Sequence, residues 1–290
     1  MYTMRPAEFT YSRPASLDEA VSTLAELEDS RPLAGGHSLL PMMRLRLSTP
    51  QALVDLGGIT GLDGIAEDND GVRIGALATH AAVAESELVQ ARCGVLAETA
   101  ALIGDRQVRN RGTIGGSVAH ADPAADYPTL LKALGAVITA TGRDGEREIA
   151  ADDFFLDVFT TALQPGELVV SVHAPSTPAG TGAAYVKHRH PASSYAVVGV
   201  AALVSVEGGM CTRARVTVGG VVRTPVHATA AAEALGGTSG PEEAIEAAAG
   251  RVAESLPDAI GDLYASAEYR VHLATVLGKR ALLAAFERAS

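Results

Sequence analysis

The chain has 290 residues, 47% of them hydrophobic and 20% charged, with a formal net charge of −11. That is the composition of a folded globular protein of two ordinary domains or one large one, and its acidic balance argues against a nucleic-acid binder, which needs clustered Lys and Arg. No stretch approaches the ~18 uninterrupted apolar residues of a membrane span, and the N-terminal segment lacks a basic region followed by an apolar run, so a cytoplasmic protein without a membrane span is expected. The only two cysteines, Cys93 and Cys211, cannot build a disulfide framework or a four-thiolate cluster, and read as buried thiols.

In chain order, residues 16–28 predict an amphipathic helix: Ser16 can cap, Glu19 follows three residues on, and Leu17, Ala20, Val21, Leu24 and Leu27 recur at helical spacing. A short strand over Arg31–Ala34 leads into a loop, Gly35–Pro41, a basic segment to Arg46, and a strand over Ala52–Leu56. Strand character around Val72–Ile74 precedes helices over His80–Glu85 and Val95–Ile103. A second glycine-rich loop, Thr113–Ser117, is followed by a helix through Leu134 and by a hairpin, Ala136–Thr141 against Glu146–Ile149. The run Pro175–Gly182 is the strongest punctuation and the expected domain boundary. After it come strands around Tyr185, Val197–Val206 and Ala214–Val218, a turn at Gly208-Gly209, and an Ala-rich, almost wholly helical stretch over 228–290.

The two glycine pairs are the chemical signal. Backbone N–H groups without a Cβ in the way admit a phosphate closely, so two such loops suggest a diphosphate ligand, with the hydroxyls of Ser38, Thr113 and Ser117 as further donors. Neither loop has the three glycines of the nicotinamide-dinucleotide fingerprint, and neither has the Gly-Lys-Ser/Thr of a triphosphate site.

The segments Arg31-Pro32-Leu33-Ala34-Gly35-Gly36-His37-Ser38-Leu39-Leu40-Pro41-Met42-Met43 and Thr113-Ile114-Gly115-Gly116-Ser117 together resemble the FAD-binding medium subunit of the aerobic carbon monoxide dehydrogenase and xanthine dehydrogenase (molybdenum hydroxylase) family. The resemblance runs from Tyr11-Ser12-Arg13-Pro14 to Glu268-Tyr269-Arg270. It implies an α+β protein: a vanillyl-alcohol-oxidase-like (PCMH-type) FAD-binding domain over 1–178, with α/β subdomains of about 1–57 and 58–178, and a C-terminal α+β domain over 179–290 with a small antiparallel sheet and helices.

By the same resemblance the FAD contacts are Leu33, Ala34, Gly35, Gly36, His37, Ser38 and Leu39 in the first loop and Thr113, Ile114, Gly115, Gly116 and Ser117 in the second. Ile103 would lie against the flavin system, Asp126 would bond FAD hydroxyls, Lys187 would stand near the pyrimidine edge, and Tyr195 beside the isoalloxazine face. Read from the residues alone, Asp126 could equally cap the helix beginning at Tyr127-Pro128, Lys187 could be a solvated strand-edge lysine, and Tyr195 a plain core tyrosine. His188 and His190 lack a third ligand and read as surface residues. His120 lies at a variable position of the family.

The resemblance implies non-covalent FAD here, molybdopterin and iron–sulfur clusters only in a large and a small partner subunit, and a dimer of heterotrimers. The role implied is electron relay from those clusters through FAD to a terminal acceptor. A self-contained flavin oxidoreductase of the same fold is the alternative; it would need an acid–base constellation over the flavin that the sequence does not assemble.

Overall fold

A computed structural model describes residues 5–289. The first unit is built from β1 (Thr10–Ser12), α1 (Leu17–Glu26), β2 (Ser30–Leu33), α2 (Leu39–Arg44) and β3 (Ala52–Asp55), with β1 and β2 each parallel to the central β3. The expected cap of α1 forms: Ser16 Oγ accepts from the Glu19 amide at 3.2 Å, and the Glu19 carboxylate accepts from the Ala15 amide at 2.8 Å. The helix buries Ala20 and Val21 in a small core with Val54, Leu56 and Leu168. Part of the stretch read as loop and basic segment is instead α2; Pro41 stands in its first turn, where a missing N–H breaks no helical bond.

The second unit runs through β4 (Ile65–Asp68), β5 (Gly71–Gly75), α3 (His80–Glu85), α4 (Glu87–Ala101), α5 (Arg106–Arg109), α6 (Ile114–His120), α7 (Asp126–Leu134), β6 (Val137–Gly142), β7 (Gly145–Ala150), α8 (Ala151–Phe154), β8 (Phe155–Asp157), β9 (Thr160–Thr161) and β10 (Leu168–Pro175). Its antiparallel sheet has the order β4-β5-β10-β6-β7, so β10 returns to the middle between the two hairpins. Helix α4 starts eight residues before the expected Val95, and Cys93, at φ −146° and ψ 64°, interrupts it.

The third unit is a meander of β11 (Thr181–Arg189), β12 (Ala196–Glu207), β13 (Met210–Gly219) and β14 (Val226–His227), followed by α9 (Thr229–Glu233), α10 (Glu242–Gly250) and α11 (Ala267–Ala289). Strand alternation splits its side chains between two cores. Ala184, Val198 and Val200 pack with Ala281, Leu282 and Ala285 of α11, whereas Ala183, Tyr185 and Ala201 join Tyr127, Leu130 and Leu131 of the second unit. A Cβ at Gly182 would lie 1.9 Å from Ala285 O, which shows how tightly α11 lies on the sheet. The stretch 256–266, expected to be helical, is irregular; buried Arg270 spans to the carbonyls of Val197 and Gly220 and pairs with Asp262 beside it. Cys93 and Cys211 are both buried, and among the described residues no helix is long and apolar enough to cross a membrane.

Candidate functional site

A cleft of about 930 Å³ collects nearly all of the residues singled out from the sequence. Leu33–Leu39 form one wall; Thr113, Gly115, Gly116 and Ser117 form the wall that meets it; Ile103, Asp126 and Tyr195 complete the lining. Two do not reach it. Ile114 is fully buried in the second unit's core, and Lys187 stands behind the wall.

The two glycine segments touch. A Cβ at Gly35 would lie 2.2 Å from Arg111 O and 2.7 Å from Gly112 Cα, so this glycine permits backbone to pack on backbone just before the second segment. Gly36 has a φ of +74°, which glycine adopts without strain. The amides of Gly35, Gly36, His37 and Ser38 donate to no partner among the described residues. They are open donors beside a cleft.

The second segment differs from expectation. It is the first turn of α6, with Thr113 as N-cap, and its amides are already used: Ile114 on Ala78 O (3.0 Å), Gly115 on Ala76 O (2.9 Å), Gly116 on Thr113 Oγ1 (3.1 Å) and Ser117 on Thr113 O (3.0 Å). Gly115 is glycine because a Cβ would strike Ala76, 2.4 Å from its Cβ. This wall therefore offers the hydroxyls of Thr113 and Ser117, while the amide donors come from the first segment.

Asp126 is buried and is the first residue of α7, whose N-cap is Ala125; it does not act as the cap. Lys187 Nζ lies 2.9 Å from both its carboxylate oxygens, and the Tyr185 hydroxyl donates to Oδ1 at 2.8 Å. Lys187, with a side chain only 3% exposed, also donates to Ser194 O at 2.8 Å. It is thus no solvated edge residue. Gly199, opposite Lys187 on β12, makes this possible, since a Cβ there would lie 2.3 Å from the Tyr185 hydroxyl. Burial pushes the Asp126 carboxyl up, against the opposing pull of Lys187 and Tyr185. The pair ties the cleft wall to the segment carrying Tyr195, whose ring is partly exposed and whose hydroxyl faces that of Ser38.

Sequence reasoning missed other parts of the lining. Phe159, at φ +52°, packs against His120 with the rings tilted by 36° and their centroids 4.9 Å apart, and both line the cleft. His80, read only as a helix start, also lines it and is 5% exposed. No motif marks these positions; a histidine in the first turn of a helix was the sole signal available.

Burial, with the positive fields of His37 and Arg109, pushes His80 from 6.5 down to about 4. The folded protein excludes a proton that the unfolded chain binds below 6.5, so this stability is fully present above pH 6.5 and lost as pH falls towards 4. At about 1.4 kcal/mol per pH unit, the loss expected from His80 is about 3 kcal/mol. Urea unfolding at pH 7 and pH 4.5 checks it: His80→Gln should flatten the dependence, and an unchanged slope would remove His80 as its source.

A cleft of this volume lined by open amides, hydroxyls and apolar side chains suits a dinucleotide carrying a flat ring system. Fold and cleft together define an oxidoreductase subunit that binds FAD. The model of the FAD binding domain in molybdopterin dehydrogenase matches residues 7–177, and that of the CO dehydrogenase flavoprotein C-terminal domain matches residues 183–285. The chain is 41% identical over 287 residues to the carbon monoxide dehydrogenase medium chain of Afipia carboxidovorans, covering 99% of both chains. It is 38% identical to subunit alpha of the 6-hydroxypseudooxynicotine dehydrogenase complex of Paenarthrobacter nicotinovorans, over 99% of this chain and 97% of that one. The solved carbon monoxide dehydrogenase of Hydrogenophaga pseudoflava that lacks the Mo-pyranopterin moiety contains a chain of the same fold, with a TM-score of 0.95 and 41% identity, covering 99% of this chain and 100% of that one. The chain belongs to the family of FAD-binding medium subunits of carbon monoxide dehydrogenase-like molybdenum hydroxylases.

Proposed function

We propose that this chain holds one FAD, non-covalently, in the cleft between its glycine segments and relays electrons from the iron–sulfur clusters of a small partner subunit to a terminal acceptor. The molybdopterin centre that oxidises the substrate belongs to a large partner subunit, and the complex is a cytoplasmic dimer of heterotrimers. The observation that carries this reading is the set of open amides at Gly35–Ser38, in residues that line one cleft together with Thr113 and Ser117. When bound, FAD supplies a centre that takes electrons one at a time and gives them up as a pair.

In this reading the amides of Gly35 to Leu39 hold the diphosphate, with Ser38, Thr113 and Ser117 as hydroxyl donors and Gly115 and Gly116 as the surface it lies on. Leu33, Ala34 and Ile103 supply apolar contact, and His37 closes the first segment. Ile114 acts through the core, anchoring the turn. Asp126 accepts from cofactor hydroxyls with whatever lone pairs Lys187 and Tyr185 leave free, and Lys187 contributes its charge from behind that carboxylate. Tyr195 covers the exposed side of the ring. The chain divides near residues 178/179 into an FAD-binding domain, with subdomains of about 1–57 and 58–178, and a C-terminal domain.

Substrate choice lies outside this chain: relatives of 41% and 38% identity are named for carbon monoxide and for 6-hydroxypseudooxynicotine. The test is the visible spectrum of the purified chain before and after acid precipitation, with and without added FAD and partner subunits. Flavin released intact into the supernatant as FAD is expected. No flavin in any preparation would sink the reading.

A further inference from the structure

Among the described residues three buried side-chain polar atoms have no hydrogen-bond partner: His80 Nδ1, the Tyr127 hydroxyl and Thr129 Oγ1. Two of them belong to neighbouring rings, His80 and Tyr127, with centroids 5.4 Å apart. Native interiors rarely leave such atoms unpaired, so two on adjacent rings call for a common cause.

His80 begins α3, and its amide donates to Gly112 O at 2.9 Å. Gly112 has no positive φ; a Cβ there would instead lie 2.6 Å from His80 Nε2 and 2.8 Å from Cδ2. The Nε2 edge of the ring therefore takes the space of a side chain at Gly112, the point against which Gly35 of the first segment also packs. Both His80 and Gly112 line the cleft, while Nδ1 is sealed from water. A neutral imidazole carries one hydrogen and one lone pair, and the bond made by one nitrogen decides which of them the other presents.

We propose that His80 is a cofactor-positioning residue: one buried water bridges the Tyr127 hydroxyl to His80, donating to Nδ1, and so holds the hydrogen on Nε2, which donates to a phosphate oxygen of the dinucleotide. Burial keeps the ring neutral, so it acts as a hydrogen-bond donor of fixed direction. Tyr127 touches no cofactor in this arrangement and acts only through His80. The inference rests on the reading of the cleft as the FAD site.

The test compares the wild-type chain with His80→Phe, His80→Gln and Tyr127→Phe, using whichever preparation holds FAD. FAD affinity is read by quenching of flavin fluorescence, and ring tautomers by 15N NMR of histidine-labelled, flavin-free chain. Loss of one phosphate-directed donor predicts FAD binding about tenfold weaker in His80→Phe and recovery to within about threefold in His80→Gln, whose amide keeps a donor. The wild-type His80 ring should carry its hydrogen on Nε2 alone, and Tyr127→Phe should show both tautomers. Wild-type affinity in His80→Phe, equal losses in His80→Phe and His80→Gln, or an Nδ1–H ring in the wild type would each overturn the proposal. If His80→Phe does not fold, His80→Gln and the wild-type tautomer decide it. A wild-type chain that takes no FAD at all would instead remove the cofactor reading and leave the tautomer result standing.

Discussion

Asp126→Ala is expected to destabilise the fold by about 3–5 kcal/mol, because it strands a buried ammonium. Lys187 Nζ would keep only the Ser194 carbonyl, at 2.8 Å, and its side chain, 3% exposed, would lose its one charged partner. Lys187→Met should cost less. Burial already pushes the Asp126 carboxyl up, so without Lys187 it can escape by taking a proton, and its loss should shrink further as pH falls. Replacing the pair together, as Asp126→Leu with Lys187→Met, should recover most of the stability, since apolar groups of similar volume often substitute for a buried ion pair at little net cost. Because Lys187 also holds Ser194, the single variants should weaken FAD binding through a loosened Tyr195 wall. Urea unfolding of the wild type, Asp126→Leu, Lys187→Met and their double measures the coupling; strictly additive losses in that cycle, or a cost under about 1 kcal/mol for Asp126→Ala in the same assay, would mean that the pair does not close as described.

Gly35→Ala is expected to cost at least tenfold in FAD affinity and about 1–3 kcal/mol in stability, as overpacking does when neither partner can yield. The new methyl would meet Arg111 O at 2.2 Å and Gly112 Cα at 2.7 Å, both of them backbone, so no rotamer change relieves the clash. The two walls must separate, and the open amides at Gly36–Ser38 move with the first of them. Gly250→Ala is the control. That residue has φ −57° and ψ −27°, with nothing near an added Cβ, so alanine should stabilise by about 0.4–1 kcal/mol and leave FAD binding unchanged. Equal thermal melts and flavin titrations for Gly35→Ala and the wild type would show that the walls do not need to meet there.

Local pattern determined much of this protein without any structure. The period of apolar residues in 17–26, the Ser16–Glu19 cap, the turn chemistry between β6 and β7 and the continuous apolar run of β12 are short-range signals, and they placed their elements to within a few residues. The glycine segments and the residues around them carried the family, because both segments recur as continuous motifs. The misreadings have a local cause too: α2 hides behind a proline that its first turn tolerates, and the break at Cys93 concealed the first half of α4.

What only the tertiary structure decided is which polar groups are free. An amide is a ligand donor or a structural bond according to where a distant carbonyl lies: Ile114 and Gly115 meet carbonyls of Ala78 and Ala76, nearly forty residues earlier, while Gly35–Ser38 meet none among the described residues. Asp126 and Lys187, 61 positions apart, become a pair only when the sheet of the third unit is laid against α7. His80 becomes part of the cleft only because Gly112 leaves room for its ring. Composition, period and motif are written along the chain, whereas burial and the pairing of polar groups depend on contacts between segments far apart in it, and those contacts decide which donors face a ligand.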